Sequence, residues 1–294
     1  MKMLSIFLII LLLVVSLPGC AAEQTANIAA TTLPVYEFTL LLCEGTDLTV
    51  ERLITENVSC LHDYTLQVDQ MRAIQGADAV VISGAGLEEF MEDALQDAHC
   101  IIDASEGLGL LEGHHHDHDH GHAEHGHVHG EDPHIWLSPA NAKTMAHNIC
   151  HSLQELYPQY TAKFEANLHA LESRLDALQH YGEKKLSTLP TRELITFHDG
   201  FSYFAESFHL TILEAVEEES GSEASAAKLI ELSQLVAGHN LPAVFIEING
   251  SVSAANIIAA ETGTKIYALD MAMSGTSYFE AMKYNIDTIW EALQ

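Results

Sequence analysis

Basic residues are scarce in this chain. Lysine and arginine number 12 against 42 acids, a formal charge of minus 30 over 294 residues. A surface of that sign repels nucleic acid and attracts cations. There is no Walker-type phosphate loop and no glycine-rich dinucleotide fingerprint, so nucleotide binding has no support. No CxxC pair occurs, which argues against a thiolate zinc site. No HExxH helix occurs either, and that removes the usual signature of a zinc hydrolase. The longest apolar segment, residues 3–15 with Ser5 as its one polar member, falls short of the ~20 residues a spanning helix needs.

That run follows Lys2 and leads through small residues to Cys20, which is the pattern of an export signal over residues 1–20. Its ending, "LPGC", resembles a bacterial lipobox, and the resemblance implies lipidation of Cys20 and an extracytoplasmic, membrane-anchored protein; ordinary secretion into a periplasm is the alternative. Four cysteines remain, Cys43, Cys60, Cys100 and Cys150. Outside the cell an even number invites two disulfides, for which three connectivities exist, and free buried thiols are the other reading.

A length of 294 residues with 48% apolar residues suits two lobes, each able to bury a core. Short apolar runs alternate with helical patterns. "TANIAA", "LTVERLI", "AVVISG" and "HCIIDAS" read as strands, and "LPVYEFTLLLCEG", "QVDQMRAIQGA" and "EEFMEDALQ" as the helices between them. The alternation resumes in the second half with the strands "ELITFH", "LTILEAV", "AVFIEI" and "KIYALD". Two α/β lobes follow, each with a mostly parallel sheet flanked by helices. Between them, residues 139–189 show only helical periodicity, broken near Pro158, and place Tyr160, Phe164, Leu168, Leu171, Leu175 and Leu178 on one stripe. That segment predicts a long strut joining an N-terminal lobe, residues 21–138, to a C-terminal lobe, residues 190–294, and restraining their relative motion.

Residues 114–129 hold nine imidazoles and three carboxylates: His114, His115, His116, His118, His120, His122, His125, His127 and His129, interleaved with Asp117, Asp119 and Glu124. An internal position and this interleaving do not suit an affinity tag. With Val128 as its only large apolar residue the segment cannot build a core, and it is expected to form a loop that binds auxiliary zinc ions weakly. In open α/β lobes ligands gather beyond the carboxyl ends of strands. His198 ends "ELITFH", Asp270 ends "KIYALD", His62 follows the second strand, and His134 stands in "DPHIWLSP" ahead of the connector. These four can reach one cleft between the lobes. Asp63 and Asp199 adjoin ligand candidates, and Glu247 ends "AVFIE"; each is a candidate spare ligand or orienting acceptor.

The strings "HDYTLQVDQMRAIQGADAVVISGAGLEEFME", "DPHIWLSPANA", "ITFHDGFSYFAESFHL" and "AAETGTKIYALD", followed by "SYFEAMKYNIDTI", resemble the metal-binding solute receptors of ATP-binding-cassette importers for zinc and manganese. The likeness runs in order from about Asn27 to the C terminus. It implies one divalent cation held between two lobes by His62, His134, His198 and Asp270, a permease as partner, and a histidine-rich loop ahead of the second histidine. It departs at Leu61, where the family usually has proline, at Ser138, where an acid is usual, and in "FIEING", which lacks a common proline. None of these removes a ligand.

Three neutral imidazoles and one carboxylate suit zinc, which accepts four-coordination without penalty. Manganese prefers more oxygen, and in manganese members of the family the third position is commonly a carboxylate, here His198. The expected function is therefore capture of zinc for a membrane permease by a monomeric receptor, with no covalent chemistry. The alternatives are a manganese receptor or adhesin of the same fold, and a zinc hydrolase with Glu247 as its only obvious base.

Overall fold

The computed structural model describes residues 26–56, 61, 64–113, 131–216, 224–273 and 275–294. The N-terminal lobe alternates β1 (Ile28–Ala30), α1 (Leu33–Leu42), β2 (Val50–Arg52), α2 (Val68–Gly76), β3 (Ala79–Ile82), α3 (Glu92–Leu95) and β4 (Ile101–Asp103). Two helices form the connector, α4 (Pro139–Leu156) and α5 (Thr161–Leu186). The C-terminal lobe adds β5 (Glu193–Thr196), α6 (Ser202–Ser207), β6 (Thr211–Ala215), α7 (Ala226–His239), β7 (Ala243–Glu247), α8 (Ser253–Thr262), β8 (Lys265–Leu269) and α9 (Tyr278–Ala292).

Each lobe is built on a four-stranded parallel sheet, in the orders β2-β1-β3-β4 and β6-β5-β7-β8. Strands such as β3 (AVVI) and β7 (AVFIE) are apolar along nearly their whole length and buried. That composition fits a parallel sheet covered by helices on both faces. In both lobes the first strand lies beside the third, with Ile28 opposite Ala79 and Thr196 opposite Phe245. The crossovers leave this central pair in opposite directions, which opens a crevice at its carboxyl end.

The helical strut is real and pinned at both ends. Serine 138 caps α4 by accepting from Asn141 N at 3.3 Å, and Pro158 breaks the run before α5, whose 26 residues extend about 39 Å at 1.5 Å per residue. Phe164, Leu168, Leu171, Leu175, Leu178 and Leu186 are buried along it, each contributing roughly 1.5–3 kcal/mol of burial. Asn167 Nδ2 donates to Leu42 O and Glu44 O at 2.7 and 2.9 Å in the N-terminal lobe. Gln179 Nε2 donates to Ser207 O at 3.0 Å in the C-terminal lobe, and Asp287 of α9 accepts from both Tyr181 and Lys185. Glycine 182 lets the Phe208 ring seat on the helix, since a Cβ there would stand 2.2 Å from Phe208 Cε1. One large core cluster runs through the N-terminal lobe, the strut and the inner face of the C-terminal lobe, and a smaller one covers that lobe's other face.

The segment "EEFMEDALQ" is not the helix its pattern predicts. It forms a 3-10 turn, Glu89–Met91, followed by the single turn of α3. The reason is Glu88, a side chain that the pattern would leave in solvent but that is 3% exposed and turned back onto the strand ends. Cysteines 43, 100 and 150 are free thiols. Since any two-bridge connectivity of the four cysteines would join two of these three, that arrangement does not form; Cys60 lies outside the described residues. So do His62, Asp63, Cys20 with the expected signal segment, and the histidines of residues 114–129.

Candidate metal centre

Two of the expected ligands meet. His134 leads into a 3-10 turn, Ile135–Leu137, ahead of the strut, and His198 stands two residues beyond β5, at the crevice of the C-terminal sheet. They come from opposite sides of the junction between the lobes, yet their Nε2 atoms are 3.3 Å apart, with the rings nearly perpendicular at 87°. Both are buried, at 8% and 4% exposure.

Behind each imidazole is a carboxylate. Asp132 Oδ1 lies 2.8 Å from His134 Nδ1 and also accepts from the His134 backbone N–H at 2.9 Å. Glu247 Oε1 lies 3.2 Å from His198 Nδ1. A carboxylate can only accept, so the Asp132 contact assigns the His134 proton to Nδ1 and turns the His134 Nε2 lone pair toward His198 Nε2. Two imidazole nitrogens this close share either a proton or a common cation. Two nitrogens each ~2.0–2.1 Å from a tetrahedral zinc ion stand about 3.3 Å apart, which is the separation observed.

Glycine 200 makes room for this geometry, because a Cβ there would fall 2.6 Å from His198 Cδ2 and 2.7 Å from Met271 Cε. Asp270 follows the last residue of β8 and precedes Met271, but its Oδ1 accepts from Ala272 N at 2.8 Å. Burial raises its pKa above the usual carboxylate range, opposed by that backbone hydrogen bond. Among the described residues no group of three or more histidine, cysteine or acidic side chains converges as a metal cage. The structure therefore brings His134 and His198 together, with Glu247 behind one of them, and leaves Asp270 outside the pair. Asp199 is half-buried beside His198.

Sequence reading missed Asp132, although an acid two residues before a histidine, able to capture the backbone N–H two positions on, is a local signal. It also missed Tyr203 on α6. Its hydroxyl accepts from Leu111 N at 2.8 Å and donates to Asp132 O at 3.0 Å. With the Glu112–Glu131 bridge and the 2.8 Å bond from Asp132 N to Leu111 O, these contacts hold the two ends of the histidine-rich insertion side by side, within a few residues of His134.

Two parallel α/β lobes joined by a long helical strut, with an imidazole pair spaced for one cation at their junction, define a two-lobed binding protein. The family model described as ZnuA, zinc-uptake complex component A, periplasmic, matches residues 28–292, and the chain belongs to that family. It is 31% identical over 240 residues to a protein of Treponema pallidum (strain Nichols) named for metal binding, covering 79% of this chain and 76% of that relative. It is 30% identical over 285 residues to the zinc-binding lipoprotein AdcA of Streptococcus pneumoniae serotype 4, covering 91% of this chain but 56% of that relative. The chain thus spans about half the length of the streptococcal AdcA relatives it matches. Its fold is similar to a crystal structure of ZnuA with a TM-score of 0.80 at 30% identity, covering 92% of this chain and all of that one.

Proposed function

We propose that this chain is an extracytoplasmic receptor that captures a zinc ion between its lobes and releases it to the permease of an ATP-binding-cassette importer. In this reading it is a monomer held at the membrane by a lipid on Cys20. His134 and His198 supply two ligands, and His62 and Asp270 complete a tetrahedral set, with Asp270 exchanging its bond to Ala272 N for the metal. Asp132 and Glu247 orient the two imidazoles and raise their basicity.

The observation that carries the proposal is the 3.3 Å separation of His134 Nε2 and His198 Nε2, each ring backed by a carboxylate. Nitrogen donors at this spacing favour zinc over manganese, which prefers oxygen ligands and higher coordination. The family membership and the zinc-binding name of the pneumococcal relative support the same choice. Hydrolysis is the weaker reading because Glu247 stands behind His198, at Nδ1, rather than on the Nε2 side where a metal-bound water would need a base. Zinc titration against a competing chelator tests the proposal. The wild-type chain should bind one ion tightly, and His198→Ala should weaken that binding about a hundredfold, taking the ~10–16 kcal/mol of a zinc site as shared among four ligands. Unchanged affinity in His198→Ala would contradict it.

A further inference from the structure

The loop that carries Asp270 is held by the segment that carries His134. Beyond β8, Asp270 N donates to Asn285 Oδ1 at 2.7 Å and Asn285 Nδ2 returns a bond to Asp270 O at 2.6 Å, which fixes the backbone on the side of α9. One residue later Met271 O accepts from the indole Nε1 of Trp136 at 2.7 Å. Tyr278, at the start of α9, donates its hydroxyl to Trp136 O at 2.8 Å. Trp136 is wholly buried, as are Tyr278 and Asn285. Between these anchors Ala272 adopts a left-handed backbone, φ 54°, which a residue with a Cβ disfavours, and its N–H is the donor that holds the Asp270 carboxylate.

We propose that Trp136 is a positioning residue that sets the distance between the His134 imidazole and the Asp270 carboxylate, and so selects an ion that accepts four close ligands over one that needs more. The inference rests on the reading of His134, His198 and Asp270 as zinc ligands. The bond runs from the residue two positions past one ligand to the residue next to another, so it ties two sites 136 residues apart in the chain with no flexible side chain between them. Removing the indole N–H leaves Met271 O buried without its donor, and relaxation of the left-handed turn is the available remedy. The backbone that carries Asp270 would then shift, and with it the point from which the carboxylate, once off Ala272 N, reaches the ion.

The test is a double-mutant cycle with zinc and manganese as the two probes. Trp136→Phe, checked for folding by its thermal melt without metal, should weaken zinc binding by about tenfold or more and lower the ratio of zinc to manganese affinity. In an Asp270→Ala background the same substitution should have no further effect, because it acts through that carboxylate. Cobalt-loaded protein should lose intensity in its tetrahedral visible bands in Trp136→Phe. Should that variant fail to fold, Tyr278→Phe removes only the hydroxyl that fixes Trp136 O and should lower the zinc-to-manganese ratio by a few fold. Equal losses with and without Asp270, or an unchanged ratio in a folded variant, would overturn the proposal. If Asp270→Ala and His198→Ala themselves leave zinc binding intact, the ligand assignment has failed instead.

Discussion

The two lobes place a buried carboxylate at the same point of the same topology and use it differently. In the N-terminal lobe the crevice lies between the ends of β1 and β3. Glu88 fills it, accepting from Thr31 Oγ1 at 2.6 Å, Ser83 N at 2.8 Å and Gly84 N at 3.0 Å. In the C-terminal lobe the crevice lies between the ends of β5 and β7, and Glu247 there faces His198 Nδ1. Glu88 is bound by three neutral donors of its own lobe, so its charge is answered there. Glu247 meets a ring with a second nitrogen, so its influence passes through the imidazole to the junction between the lobes. A strand-switch crevice becomes a binding site when its buried acid is matched by a group with another face to offer.

The largest expected effect comes from removing the structural acid. Glu88→Ala strands three donors and opens a cavity, and should cost about 3–5 kcal/mol in urea unfolding, while the zinc affinity of the protein that remains folded stays within about twofold. A large loss of affinity would erase the contrast between the lobes. Glu247→Gln should do the reverse, weakening zinc binding by about 10–100-fold with little change in the midpoint of unfolding.

A smaller effect separates the acids by pH. Burial pushes Glu88 up to about 7 from its ordinary value of 4.5, despite the opposing hydrogen bonds from Thr31, Ser83 and Gly84. Its folded pKa lies above its unfolded one, so its favourable contribution is complete below about pH 4.5 and is lost as pH rises through about 7. Between pH 5.5 and 7.5 the metal-free protein should lose about 2 kcal/mol on this account, and Glu88→Gln should remove that slope. Equal slopes in both proteins would show that Glu88 titrates normally. The smallest effect tests the strut. Asn167→Ala removes two hydrogen bonds to the end of α1 and should cost about 1–2 kcal/mol without altering zinc affinity.

The sequence carried the parallel sheets and the strut because both rest on local periodicity. His198 could be placed because it closes the run "ELITFH" just past β5, and an imidazole near a strand end has a known destination in this topology. Asp132 was hidden by its own neighbour, since Asp-Pro reads as the start of a turn. Glu88 was hidden by distance: one of its partners, Thr31, is 57 residues away, and without that partner "EEFMEDALQ" is an ordinary amphipathic pattern. Gly200 and Trp136 act through space and have no periodic signature. The same limit applies to Asp270, whose strand-end position was legible but whose bond to Ala272 N depends on a left-handed turn that no residue in "LDMAM" announces.

The most direct measurement is anomalous diffraction at the zinc edge from crystals of the zinc-loaded protein. One strong peak should lie ~2.0–2.1 Å from both His134 Nε2 and His198 Nε2, with the Asp270 carboxylate released from Ala272 N onto the ion. A peak elsewhere, with those two nitrogens still in contact and no metal between them, would contradict the account.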